Sequence, residues 1–103
     1  MHIVVLITAK DKAEAEKIAQ GLISQKLAAC CNIVASINSV YWWQGKVEDS
    51  PEALIIVKTQ QKLFKELVQK VKELHSYTVP EIIALPIVEG SEDYLRWIDE
   101  SCQ

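Results

Sequence analysis

Residues 30–48, CCNIVASINSVYWWQGKVE, decide how this chain folds. Cys30 to Trp43 contains no proline or glycine, is rich in Ile, Val, Ser and aromatic residues, and is poor in helix formers. It reads as one long strand, the second of the chain. Gln44-Gly45-Lys46 supplies a turn, and Val47-Glu48 begin the return. A turn this tight joins only antiparallel neighbours, because parallel strands need a crossover of a dozen or more residues. A doubly wound parallel sheet, the competing fold, is disfavoured on that ground.

The flanking segments complete the pattern. His2 to Thr8 is β-rich and apolar at nearly every position, and forms strand one. Asp11 is placed to cap a helix in which Ala15, Ile18, Ala19, Leu22 and Ile23 recur at the spacing of one buried stripe. Gly21 weakens that helix by about 1 kcal/mol relative to Ala, and permits close packing against a neighbour. Ala53 to Thr59, carrying Leu54-Ile55-Ile56-Val57, is strand three, with Asp49-Ser50-Pro51 expected as a bulge or break before it. A second helix runs from about Gln60 to Leu74. Pro80 steers its predecessor out of the helical region, so a fourth strand is expected from Glu81 to Val88. Ile82, Ile83, Leu85 and Ile87 leave that strand almost no polar relief, the pattern of a strand buried on both faces. Ser91, Glu92 and Asp93 open a last helix to about Glu100, and Cys102 falls in a tail expected to fray.

The order β-α-β-β-α-β-α defines an α+β fold. It is a ferredoxin-like βαββαβ sandwich with an additional C-terminal helix and a four-stranded antiparallel core sheet, a single domain over residues 1–103. Both long helices cover one face of the sheet. Strands one, three and four are nevertheless apolar on both alternate sets of residues, so the second face requires a cover, and another copy of the chain is the expected one.

Composition limits what such a domain does. The net charge of −3, with acids and bases interleaved, leaves no basic stripe for nucleic acid or an anionic membrane. The apolar start, Ile3 to Ile7, is too short for a membrane or signal segment. Three cysteines, an odd number without Cys-x-x-Cys spacing, fit a reducing compartment. A cytoplasmic protein is expected.

The chemistry gathers at His75-Ser-Tyr77-Thr-Val-Pro80-Glu81, where titratable groups meet the mouth of strand four. His75, Tyr77 and Glu81, with Lys58 at the end of strand three, are the candidates for a cleft. His75 can equally cap the second helix, Lys58 can snorkel or pair with Glu81, and Cys30 can be a small core residue. Tyr41, Trp42 and Trp43 are expected to pack at a subunit interface, and Tyr94 and Trp97 are expected to be packing residues.

Taken together, Leu27-Ala-Ala-Cys30, Ser39-Val-Tyr41-Trp-Trp43-Gln-Gly45, Glu52, Lys58-Thr59, the His75 to Ile83 segment and Tyr94-Leu95-Arg-Trp97 closely resemble the CutA divalent-cation-tolerance proteins. The resemblance spans essentially the whole chain. It implies a ferredoxin-like homotrimer of PII-like architecture, association with divalent cations, copper especially, no established catalysis, and sites in the clefts between subunits. Ser76 stands where the family usually has proline. The bacterial copper site, a strand-one cysteine with two consecutive histidines, maps onto Ile7, Leu74 and His75, so one ligand of three survives.

Three function classes follow. The first is a trimeric protein associated with divalent metal ions, with His75, Glu81 and Cys30 as the candidate donors, His75 and Cys30 for copper or zinc, and no cofactor required. The second is a PII-like sensor of a small anionic metabolite held by Lys58 and Tyr77. The third, an enzyme pairing His75 with Glu81 or using Cys30 as nucleophile, ranks lowest, because no oxyanion hole, nucleophile motif or complete metal set accompanies them.

Overall fold

A computed structural model of the protein describes residues 1–102. β1 (His2–Ala9) is followed by α1 (Lys12–Ser24), β2 (Cys30–Trp43), β3 (Lys46–Gln60), a 3-10 turn (Gln61–Leu63), α2 (Phe64–Leu74), β4 (Ile82–Pro86) and α3 (Glu92–Ser101). The four strands form one sheet in the order β2-β3-β1-β4, all neighbours antiparallel. This is the expected ferredoxin-like arrangement with its extra C-terminal helix.

The turn that decides it is a two-residue connection. Gln44 (φ 51°) and Gly45 (φ 80°) are both left-handed, the geometry whose twist matches a hairpin. Asp11 caps α1 as expected, its Oδ1 accepting from the Glu14 N–H at 2.8 Å. At Gly21 a Cβ would lie 2.7 Å from Leu74 Cδ1, so the missing side chain is what lets α1 approach the end of α2.

The core lies between the helices and one face of the sheet. In register, Ile3 faces Thr59, Val5 faces Val57, Ile7 faces Ile55 and Ala9 faces Ala53. All eight are buried, against Ala15, Ile18, Ala19 and Leu22 of α1 and Leu67 and Val71 of α2. The alternate residues, Val4, Leu6, Leu54, Ile56, Ile83 and Leu85, look out from the other face, where Ile83 and Leu85 are each 51% exposed.

Four expectations are corrected. Strand four is shorter than Glu81–Val88 and is an edge strand half open to solvent, not one buried on both faces within this chain. Its apolar density therefore records a surface and not a core. Strand three has no break at Asp49-Ser50-Pro51: β3 is continuous, with Pro51 paired to Asn38. Beyond Ala53 it has lost β1 as a neighbour, and an edge tolerates a residue without an N–H. The irregularity sits instead on β2, where Val34 pairs with Leu54 but Ile37 with Glu52, leaving one residue extra. Cys102 does not fray: it is buried, its N–H donates to Ile98 O at 3.1 Å, and its Sγ lies 3.7 Å from Thr59 Oγ1.

Past the bulge, β2 and β3 continue as a two-stranded arm from Ile37–Glu52 to Trp43–Lys46. Seven residues at about 3.3 Å each carry it roughly 20 Å beyond the body, which is why the molecule measures 44 × 26 × 22 Å. Val40, Trp42, Trp43 and Val47 are exposed along it.

Candidate functional site

The base of this arm and the loop before β4 enclose a cleft of about 610 Å³. Thr8 comes from β1, Ser39, Tyr41 and Trp43 from β2, Glu52 from β3, and Tyr77 and Glu81 from the loop. Among the described residues, its only charged lining side chains are the carboxylates of Glu52 and Glu81.

The loop is held from behind by His75. α2 stops there because His75 is extended (φ −88°, ψ 142°), and its ring turns back beneath the chain until the side chain is fully buried. Nε2 lies 2.7 Å from Thr8 O, and the Tyr77 N–H donates to Nδ1 at 3.0 Å. A carbonyl only accepts, so Nε2 carries the proton and Nδ1 has the free lone pair, which makes the ring neutral with both nitrogens engaged. Glu14 stands beside it, its Oε1 3.8 Å from Nδ1. Burial alone would push the Glu14 carboxyl up, but hydrogen bonds from Lys10 N–H at 3.0 Å and Ser76 N–H at 2.9 Å outweigh it and hold the group below its usual range. Glu14 thus ties the start of α1 to the start of the loop.

Tyr77 carries this order into the cleft. Its ring packs tilted on His75, centroids 4.7 Å apart, and its hydroxyl donates to Glu52 Oε2 at 2.7 Å. Burial pushes the phenol up strongly, and the bond to Glu52 and that carboxylate's charge add to it, so Tyr77 remains a donor. Glu52 is only 8% exposed, and among the described residues no Lys, Arg or His pairs with it. On the arm, Tyr41 and Ser50 share a hydrogen bond at 3.0 Å.

The predicted site residues are therefore divided. Tyr77 and Glu81 line the cleft. His75 supports it without opening onto it, and the helix-cap reading is replaced by a buried clamp on the Thr8 carbonyl. Lys58 is absent from the cleft: it pairs with Val4, four residues from Thr8, which is about 13 Å along the strands. Its Nζ donates to Asn32 Oδ1 rather than to Glu81. Cys30 sits in the Lys58 row, its Sγ–H donating to the same Asn32 oxygen at 3.6 Å. Cys30 and His75 are thus rows apart on one chain, and among the described residues no three His, Cys, Asp or Glu side chains gather as a metal shell. Tyr94 and Trp97 stack on each other at 5.4 Å but remain 42% exposed, so they are not the packing residues expected. Glu52 and Glu14 were not among the sequence candidates. The signal for Glu52 was a lone acid between Pro51 and the apolar run Ala53–Val57; that for Glu14 was its place three residues after the cap Asp11.

Comparison with known proteins agrees with this architecture. Residues 3–101 match the family model described as CutA1 divalent ion tolerance protein. The chain is 50% identical over 101 residues to the divalent-cation tolerance protein CutA of Thermus thermophilus, covering 98% of each. It is also 48% identical to the CutA of Archaeoglobus fulgidus along the full length of both. It is 50% identical to the chloroplastic CutA 1 of Oryza sativa, of which it spans 56%. The solved Thermus thermophilus structure superposes with a TM-score of 0.98 over all of both chains, and that of Archaeoglobus fulgidus, titled periplasmic, with 0.95 over 98% of each. With a family match from the first strand to the last helix, half of the residues shared with the Thermus thermophilus relative and a TM-score of 0.98 to its solved structure, this chain belongs to the CutA1 divalent ion tolerance family.

Proposed function

We propose that this chain works as a homotrimeric cation-associated protein whose sites are the acidic clefts at the base of each arm, completed by a neighbouring copy. The observation that carries the reading is the charge of the cleft: among the described residues, Glu52 and Glu81 line it and no basic side chain does. A small anionic metabolite would meet two carboxylates there, with Lys58 about 13 Å farther along the strands, so the PII-like anion sensor is the weaker reading. Support for the trimer comes from the open face bearing Ile83 and Leu85 and from the exposed aromatic arm, surfaces of the kind that copies of a chain bury in one another. Three free cysteines fit a cytoplasmic setting. Among the described residues, no helix is long and apolar enough to cross a membrane.

The donors in the cleft are oxygens, which suit hard divalent ions better than copper or zinc. His75 and Cys30 would serve copper or zinc only after the His75 ring let go of Thr8 or Tyr77 and another copy brought its Cys30 near.

Sedimentation equilibrium at micromolar protein, run with competitive titration of Mn(II), Zn(II) and Cu(II), tests this. One species of three chains is expected for the parent and smaller species for Leu85→Glu, with Mn(II) affinity lowered at least tenfold by Glu52→Gln. A folded monomer, or Mn(II) binding indifferent to both Glu52→Gln and Glu81→Gln, refutes it.

A further inference from the structure

The cleft is built oddly for a bare metal ion. One chain supplies it with two carboxylates and the hydroxyls of Thr8, Ser39, Tyr41, Tyr77 and Thr78, but among the described residues no three charged or soft ligand side chains gather there as an ion's shell. Its volume of about 610 Å³ belongs to the range of small-molecule sites and is far larger than an ion needs. Its walls are aromatic and apolar: Tyr41, Trp43, Tyr77 and Val79.

Glu52 is the second observation, independent of the shape. The residue is more than nine-tenths buried, its Oε2 takes one hydrogen bond, from the Tyr77 hydroxyl, and its Oε1 opens to the cleft. Among the described residues nothing donates to Oε1, and no cation lies within pairing distance. A carboxylate oxygen that faces a cleft with no positive side chain beside it is a ready acceptor for a cation from elsewhere. What combines N–H donors for a carboxylate with tolerance for π faces is an alkylammonium group, attracted to the rings by their quadrupoles and able to lay its carbon chain along the apolar wall.

We propose that this cleft binds a small primary alkylammonium ion, its –NH₃⁺ on Glu52 and enclosed by Tyr41, Trp43 and Tyr77. The inference rests on the reading of the cleft as cation-binding and names the class of cation. Tyr77 fixes the Glu52 oxygen that is not used, leaving Oε1 for the ligand. Glu81, exposed at the rim, steers cations inward and contributes less to the bound state.

The test is calorimetric titration of the full chain with n-butylammonium, with n-butanol as the neutral counterpart, and with Mn(II), monitored also by Trp43 fluorescence. Butylammonium is expected to bind at least tenfold more tightly than butanol. That preference should be lost in Glu52→Gln, which keeps an acceptor for Tyr77, and should fall severalfold in Trp43→Leu. Melting curves verify that both variants are folded; should Glu52→Gln fail to fold, Tyr41→Leu with Trp43→Leu takes its place. Equal binding of amine and alcohol overturns the proposal, as does amine binding unchanged by either substitution. Mn(II) binding in the cleft with no competition from butylammonium overturns it while leaving the cation reading intact. Absence of both kinds of binding defeats the two together.

Discussion

Replacing His75 by alanine separates a supporting role from a metal-binding one. The substitution removes two hydrogen bonds, Nε2–H to Thr8 O at 2.7 Å and Tyr77 N–H to Nδ1 at 3.0 Å, from a side chain with no exposed surface. Each is worth about 1 kcal/mol net, and leaving buried partners unpaired adds about 1 kcal/mol or more. The vacated imidazole space adds a further cavity cost, so the expected loss is about 3 kcal/mol. Glutamine, with a donor and an acceptor on one amide, should recover about half of it. Urea unfolding at pH 7 reads these values, with protein concentration fixed because any oligomer contributes to the midpoint. Because His75 places Tyr77 and Tyr77 holds Glu52, the Glu52-dependent Mn(II) affinity should weaken as the loop loosens but should not vanish wherever the variant is folded. A loss below about 1 kcal/mol would refute the clamp. If Zn(II) or Cu(II) binding vanished at the same time, the ring nitrogens would be metal ligands and not loop supports.

Two further predictions use groups whose protonation is perturbed. Because Glu14 is held below its usual 4.5, its contribution is fully present above that pH and is lost as pH falls through its lower folded value. Glu14→Gln should therefore lower stability at pH 7 by roughly 1–2 kcal/mol and flatten the acid limb of the stability curve, and an acid limb identical to the parent's would refute this. Cys31, whose thiol burial pushes up to about 12, with the neighbouring Cys30 adding to it, should resist alkylation at pH 8, where roughly one thiol in ten thousand is ionised. Peptide mapping after iodoacetamide should find Cys31 unmodified while Cys30 reacts; labelling of Cys31 at the rate of a free thiol would contradict the raised thiol.

The elements and their connection were legible before any coordinates. Hydrophobic spacing marks α1 and α2, Asp11 marks a helix start, and the Gln44-Gly45 turn makes β2 and β3 antiparallel, after which right-handed crossovers leave one compact arrangement. The family was legible too, because its residues are dispersed over the whole chain. Such features are local: they depend on neighbours in sequence, on backbone dihedrals and on periodicity.

What required the tertiary structure was non-local. Apolar residues on both sides of β4 state that both faces shun water but not what covers them, and the fold places one face, with Ile83 and Leu85, at an open edge. Lys58 and Glu81 look equally eligible for one cleft until register assigns Lys58 to the Val4 row, four residues from Thr8. His75 presents itself as a ligand because its partners, a carbonyl at Thr8 and an amide at Tyr77, are backbone groups that every residue possesses and no side chain announces. Glu52 is one acid among many until the end of β1, the bulge in β2 and the Tyr77 hydroxyl bury it. The sequence by itself determined the elements and the family, since propensity and pattern act over a few residues; only the tertiary structure decided which charges meet, since strand register and packing bring together groups that sequence distance keeps apart.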